Sequence, residues 1–196
     1  MYEVEIKVPV ETGIRDRLAA IGAEPVERVH QTDAYFDAPH RAFAETDEAL
    51  RIRRERVESR AVDGSASASG DEARIDETDA RVRMTYKGPK IDARSKTRTE
   101  AEIAVDDAET ARALLEGLGF ERAATVEKNR HRFQIGGTTA TVDDVAGLGT
   151  YLELERDVDG EAEIDSARDA LEGTLADLGL NPDDQIRRSY LGLLLD

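Results

Sequence analysis

The sequence contains no cysteine and no tryptophan, and only 3 of its 196 residues are histidine. A chain without cysteine forms no disulfide bond, no thiolate nucleophile and no zinc site of the cysteine type. His30, His40 and His131 do not show the spacing of metal ligands. These absences exclude thiol chemistry and the common structural zinc sites.

Lysine is also scarce: 5 lysines stand against 22 arginines, while aspartate and glutamate number 21 and 22. The formal net charge of −16 argues against nucleic acids and anionic membranes as partners, because both are bound by basic surfaces. An acid-rich, lysine-poor composition is typical of a halophilic protein from a salt-rich cytoplasm. At about 1 M salt the Debye length is about 3 Å, so this charge does not keep an anionic ligand from a buried site.

Long apolar runs are absent as well. No segment approaches the roughly 18 consecutive apolar residues of a transmembrane helix, and the first residues open an alternating pattern without the apolar core of a signal peptide. We therefore expect a cytoplasmic protein without a membrane segment. A length of 196 residues fits one domain that can bury a sizeable core.

Alternation of apolar and polar residues at period 2 predicts eight β-strands. Their ranges are 2–8, 31–37, 49–56, 82–88, 98–105, 126–134, 139–145 and 150–157. Helical periodicity predicts helices over 11–21, 108–118 and about 163–178, with a further amphipathic run after Pro182. Short connections between most strands favour an antiparallel sheet, and eight strands can close into a small barrel. The predicted fold is α+β: an eight-stranded antiparallel β-barrel with helices packed outside.

One segment, at about 58–80, departs from this pattern, because small polar residues and acids replace the apolar periodicity. Such a composition does not offset the entropic cost of ordering. The sequence therefore predicts a mobile insertion within a single domain that covers residues 1–196.

A weak internal repeat relates the first predicted strand to the fifth. EVEIKV at 3–8 corresponds to EAEIAV at 100–105, and in both copies a helical pattern follows and ends at a glycine 17 residues after the second glutamate. The equal spacing suggests two related halves, each with four strands. Chance similarity of two strand–helix units is the alternative. Ala104 occupies the position of Lys7, so the halves are not functionally equivalent.

Charged residues share one face of most predicted strands, since side chains at i and i+2 lie on the same side. Acids dominate the first and last strands, and bases dominate the third, fourth and sixth. In an open sheet these faces would lie in water. In a closed barrel with external helices they would point inward, where ions need partners, water, metal or ligand. A tunnel that holds a metal–polyphosphate complex would neutralise both sets of charges.

Seven ordered blocks carry a resemblance to a known family. In chain order they are EVEIK at 3–7, QTDAYFD at 31–37, ALRIR at 49–53, TYKGP at 85–89, RTEAE at 98–102, VEKNR at 126–130, and VDDV at 142–145 leading to LGTYLELE at 148–155. Together they resemble the CYTH superfamily, or triphosphate tunnel metalloenzymes, which includes class IV adenylate cyclases and thiamine triphosphatases. The resemblance covers about residues 1–195.

The resemblance implies an eight-stranded tunnel, a triphosphate substrate and Mg²⁺ or Mn²⁺ as cofactor. It implies metal ligation by Glu3, Glu5, Asp143, Glu153 and Glu155. It implies substrate binding by Lys7, Arg51, Arg53, Lys87, Lys128 and Arg130. The residues expected to be catalytic are Glu3, Glu5, Lys7, Lys87 and Arg130. The family pattern also places Glu100 and Glu102 along the tunnel.

Three functions remain open at this point. The blocks at 31–37 and 85–89 are more similar to class IV adenylate cyclases than to animal thiamine triphosphatases. Class IV adenylate cyclases form cyclic AMP and pyrophosphate from ATP. A triphosphatase acting on inorganic triphosphate, thiamine triphosphate or a nucleoside triphosphate would use the same charged residues. A non-catalytic nucleotide- or polyphosphate-binding module is the third. The apolar stripe of the last helical run fits either a cap on the barrel or a homodimer contact.

Overall fold

The computed structural model describes residues 2–60, 80–89 and 99–195. The strands in these ranges are β1 (Tyr2–Pro9), β2 (Glu24–Asp37), β3 (Ala49–Arg60), β4 (Ala80–Lys87), β5 (Glu100–Ala104), β6 (Glu121–Ile135), β7 (Thr138–Val145) and β8 (Gly149–Val158). The helices are α1 (Ile14–Ala20), α2 (Phe43–Thr46), α3 (Ala108–Gly117), α4 (Ile164–Asp177) and α5 (Tyr190–Leu194). Two short 3₁₀ turns lie at Glu161–Glu163 and Pro182–Asp184.

The strands form an eight-stranded antiparallel sheet in the order β1-β8-β7-β6-β2-β3-β4-β5, with helices packed around it. The predicted α+β class and all eight predicted strands are therefore confirmed. Within the described ranges no ladder joins β5 to β1, so closure into a barrel stays a prediction. No helix in the described part of the chain has the length and hydropathy needed to span a membrane.

The described elements differ from the predicted ones at several points. Helix α1 begins at Ile14 and not at residue 11, because Gly13 adopts φ 94° immediately before it. The short helix α2 was not predicted. After Pro182 only a 3₁₀ turn and the short helix α5 form, and Ile186 lies outside both, where its backbone N–H donates to the carbonyl of Lys7. Most of the predicted insertion at 58–80 lies outside the described residues.

The first of two compact units comprises the described residues of 2–29, 57–60 and 128–189. One face of its strands packs against α1 and α4. Leu152 and Leu154 of β8 are completely buried on this face, and burial of a side chain of that size contributes about 1.5–3 kcal/mol. The core is completed by Val4, Ile6, Val8, Ile14, Leu18, Ala23, Phe133, Ala140, Val142, Ala167, Leu171, Leu175 and Leu178. Since strand side chains alternate, the charged residues of β1 and β8 occupy the opposite face.

The second unit comprises the described residues of 30–56, 80–89, 99–127 and 190–195. Its core forms between α3 and the apolar faces of strands β2, β3 and β4. The buried members are Phe36, Phe43, Leu50, Ile52, Ala111 and Leu115. The side chain of Asp107 caps α3 by accepting from the Thr110 N–H at 2.7 Å, a type of contact that typically contributes about 1 kcal/mol. As in the first unit, the charged residues lie on the strand face opposite the core.

Candidate active site

Three glutamates of the first unit form a group of carboxylates, which we call the acidic cluster: Glu3, Glu5 and Glu155. The β1–β8 register places Glu5 directly opposite Glu155, and Glu3 shares the strand face of Glu5. One carboxylate oxygen from each of the three lies within 4.8 Å of the others. The structure thus brings together three of the five predicted metal ligands.

The pKa of Glu155 reflects its burial and the charges around it. Burial raises the pKa of Glu155 to about 7, and the carboxylates of Glu153, Glu3 and Glu5 act in the same direction, against the lowering effect of Arg130. The ionised form of Glu155 is therefore disfavoured by burial first and by neighbouring negative charge second. Carboxylate oxygens are the ligands that Mg²⁺ and Mn²⁺ prefer, so the donor set fits the divalent cation that the motifs imply.

Lys7 lies next to the acidic cluster on β1, opposite Glu153 of β8. Its side chain is buried, and its Nζ lies 3.8 Å from Oε1 of Glu153. The same Nζ donates to the backbone carbonyl of Arg188 at 2.6 Å. The lysine that the motifs assign to phosphate binding is therefore held between a carboxylate and a main-chain oxygen.

The predicted ligand Asp143 makes ion pairs with two predicted phosphate-binding residues. Arg130 donates to it from Nε at 2.7 Å and from Nη2 at 2.6 Å, and Lys128 donates to Oδ2 at 3.2 Å. Arg130 Nη2 also donates to Glu153 at 2.7 Å. Burial alone would raise the pKa of Asp143, but the charges and hydrogen bonds of Arg130 and Lys128 hold that pKa well below its usual range.

In the second unit, Arg51 and Arg53 lie at the carboxylate of Asp33. Arg53 donates from Nε and from Nη2 to the two oxygens of Asp33, each at 2.6 Å. Arg51 Nη1 lies 3.6 Å from Oδ2 of the same residue. Asp33 is only 2% exposed. Two predicted phosphate-binding arginines are thus brought to a single buried carboxylate.

Strands β4 and β5 pair the remaining predicted residues of the second unit. Lys87 faces Glu100 in the register, and its Nζ donates to that carboxylate at 2.6 Å. Glu102 accepts from Arg83 at 2.5 Å and from Thr85 at 2.9 Å. Partial burial would raise the pKa of Glu102, but these hydrogen bonds lower it below its usual value. Each glutamate of β5 therefore has a cationic partner, Lys87 for Glu100 and Arg83 for Glu102.

The sequence analysis assigned no role to Asp33, although the residue lies in the block at 31–37. The available signal was an acid that alternates with apolar residues of a buried strand, where an ion needs a partner. Gln31, from the same block, lies on the same strand face and donates to Glu55. The position of Asp33 against Arg53 depends on contacts between strands, which the sequence alone does not supply.

Comparisons with known proteins agree with these features. A model of the CYTH domain matches residues 1–190. MJ0240 of Methanocaldococcus jannaschii, a candidate adenylate cyclase by name, is 36% identical over 195 residues and the match covers 98% of each chain. Adenylate cyclase CyaB of Aeromonas hydrophila is 28% identical over 192 residues, which cover 96% of this chain and 86% of that protein.

A solved structure extends the agreement to the fold. The PH1819 protein of Pyrococcus horikoshii superposes with a TM-score of 0.80 at 37% identity, and the match covers 99% of this chain and 98% of that one. The family model spans nearly the whole chain, and the charged strand faces carry the blocks on which the resemblance depends. This chain belongs to the CYTH family.

Proposed function

We propose that the protein is a metal-dependent class IV adenylate cyclase that converts ATP into cyclic AMP and pyrophosphate. The observation that carries the proposal is the acidic cluster, with cations on the same charged face of the first unit. Two relatives that are 36% and 28% identical are named as adenylate cyclases, which supports this reaction. Closure of the sheet into a tunnel is part of the proposal.

The acidic cluster would hold the divalent cation. When bound there by Glu3, Glu5 and Glu155, Mg²⁺ or Mn²⁺ would supply charge neutralisation for the triphosphate and activation of the ribose 3′-hydroxyl. Glu153 and Asp143, which the motifs also assign to the metal, accept hydrogen bonds from Arg130 in this structure. Their ligation of a metal stays a prediction.

The cations of the chain would bind and orient the triphosphate. In the first unit Lys7 and Lys128 are 2% and 4% exposed, and charge–charge attraction is stronger at such sites than in water. Arg130 would stabilise the charge that develops on the leaving pyrophosphate, a role for which its fixed guanidinium is suited. Arg51, Arg53 and Lys87 of the second unit would bind further phosphate oxygens.

Analysis of the products distinguishes the candidate reactions. Purified protein in molar KCl with Mg²⁺ or Mn²⁺ is given ATP, thiamine triphosphate and tripolyphosphate in parallel. Glu5→Ala is the inactive comparison, and Glu24→Ala, which changes an exposed glutamate of β2, is the matched control. The proposal predicts cyclic AMP and pyrophosphate from ATP in the wild type and in Glu24→Ala, and none in Glu5→Ala.

The other outcomes contradict the cyclase reaction in distinct ways. Orthophosphate without cyclic nucleotide would identify a triphosphatase, in which water and not the ribose hydroxyl is the nucleophile. Tight binding of a triphosphate without any product would identify a binding module. Full activity of Glu5→Ala would remove the acidic cluster from the mechanism.

A further inference from the structure

Two buried aspartates, one in each unit, make the same contact with an arginine. Arg53 uses Nε and Nη2 to donate to both oxygens of Asp33. Arg130 uses the same two nitrogens to donate to both oxygens of Asp143. The aspartates are 2% and 0% exposed. Because the same contact occurs in both units, we expect the two aspartates to have the same role.

Each aspartate also lies close to a second cation, which is on the same strand as its arginine. Arg51 precedes Arg53 by two residues on β3, and Lys128 precedes Arg130 by two residues on β6. Residues at this spacing share a strand face and are only about 7 Å apart along the strand, so their positive charges repel. One carboxylate between two such cations reduces this repulsion, and beside Asp143 the carboxylate of Glu153 also accepts from Arg130 Nη2.

The form of the contact fixes the arginine. A bidentate pair holds the plane of the guanidinium as well as its position. In both pairs the contact uses Nε and Nη2 of the arginine, so each aspartate fixes the orientation of its guanidinium group.

We propose that Asp33 and Asp143 are positioning residues, which hold Arg51 with Arg53 and Lys128 with Arg130 in the arrangement that binds triphosphate. The inference rests on the proposed function and adds Asp33 to it. For Asp143 it is an alternative to the metal ligation that the resemblance implies, because both of its oxygens accept hydrogen bonds from cations. The acidic cluster contains neither aspartate.

The test separates binding of phosphate from binding of metal. Asp33→Asn and Asp143→Asn keep the side-chain volume but remove the charge and one acceptor. Asp106→Asn and Asp177→Asn, at exposed positions, are the matched controls. Tripolyphosphate binding is measured by calorimetry and Mn²⁺ binding by electron paramagnetic resonance, both without turnover.

We expect the first two variants to bind tripolyphosphate about 10-fold more weakly, the size of effect typical of groups that orient a ligand-binding side chain. We expect their Mn²⁺ affinity to equal that of the wild type, and both controls to be unchanged. Loss of Mn²⁺ binding in Asp143→Asn would make that residue a metal ligand and overturn the inference for it. Unchanged tripolyphosphate affinity in a variant would overturn the inference for that residue.

A double-mutant cycle tests whether Asp33 acts through Arg53. In an Arg53→Gln background, Asp33→Asn is expected to weaken tripolyphosphate binding by less than about 2-fold, since residues that act as a unit are not additive. Full additivity would contradict a positioning role. Thermal melts monitor the folding of each variant. If Asp33→Asn fails to fold, Asp33→Ser is used in its place, because the smaller side chain leaves room for water beside the guanidinium.

Two remaining outcomes have separate meanings. Failure of every aspartate variant to fold would assign these residues to stability alone and overturn the inference. Absence of tripolyphosphate binding in the wild type would refute the proposed function itself. The wild-type titration thus separates the two failures.

Discussion

Strands β1 and β5 have similar sequences but differ in what faces them. Each carries two glutamates at alternating positions, and each precedes a helix that is followed by a glycine with positive φ, Gly22 at 84° and Gly119 at 86°. On β1, Glu5 faces a third glutamate, Glu155. On β5, the glutamates face Lys87 and Thr85.

This difference explains why one pair is a candidate metal site and the other is not. The glutamates of β1 meet further negative charge, which a divalent cation would neutralise. The glutamates of β5 accept hydrogen bonds from Lys87, Arg83 and Thr85. The local sequence sets the strand, the helix and the glycine in both copies, whereas the neighbouring strand decides the chemistry.

The largest expected contrast is in turnover. Glu5→Gln should reduce metal-dependent turnover about 1,000-fold, which corresponds to the several kcal/mol that a catalytic metal contributes. Glu102→Gln, the change at the corresponding position of β5, should stay within about 3-fold of wild type because it removes only an exposed ion pair. Initial rates at saturating Mn²⁺ provide the measurement. Equal losses in the two variants would break the distinction between the strands.

A second contrast concerns stability and compares a buried with an exposed arginine. Arg130→Ala leaves Asp143 buried without its bidentate partner, and removal of one member of a buried pair typically costs about 3–5 kcal/mol. Arg83→Ala removes the partner of Glu102 at an exposed site, where such pairs contribute about 0–1 kcal/mol. Urea denaturation of both variants measures the free energies of unfolding. A small loss in Arg130→Ala would show that Lys128 alone compensates the charge of Asp143.

The strand alternation explains how much of the fold was predictable. Most strands were predicted because one of their faces is buried, which demands apolar residues at every second position. Strand β5 was predicted from the alternation of Glu100 and Glu102 with Ala101 and Ile103, although all five of its residues are exposed. The first parts of β2 and β6, at 24–30 and 121–125, were missed because most of their residues are exposed and no alternation is demanded there.

Individual residues of the site were predictable from the sequence, but the contacts between them were not. Alternation placed Glu3 and Glu5 on one charged face of β1, and the resemblance to the CYTH superfamily assigned them to the metal. Their proximity to Glu155 depends on the β1–β8 register, which pairs segments from opposite ends of the chain. The role of Asp33 depends likewise on which strand lies beside β2. Contacts of this kind are set by tertiary packing and not by local sequence.

A smaller effect concerns the stability of the metal-free protein. The pKa of Glu155 is raised to about 7 in the folded state, whereas glutamate in an unfolded chain titrates near 4.3. Between about pH 4 and 7 the unfolded chain loses this proton while the folded chain keeps it, so the free energy of unfolding decreases as the pH rises. Glu155→Gln should be about 2 kcal/mol more stable than wild type at pH 8 in chelator, and equal to it below about pH 4. Urea denaturation at both pH values checks this, and a variant less stable at pH 8 would contradict it.

We expect the glutamates of β1 to bind a divalent cation and those of β5 not to bind one. Mn²⁺ is titrated into wild type, Glu5→Gln, Glu155→Gln and Glu102→Gln, and binding is followed by electron paramagnetic resonance. Mn²⁺ binding should be lost in Glu5→Gln and Glu155→Gln and retained in wild type and Glu102→Gln. Retention of Mn²⁺ binding in Glu5→Gln and Glu155→Gln, or its loss in Glu102→Gln, would show that the glutamates of β1 are not the metal ligands.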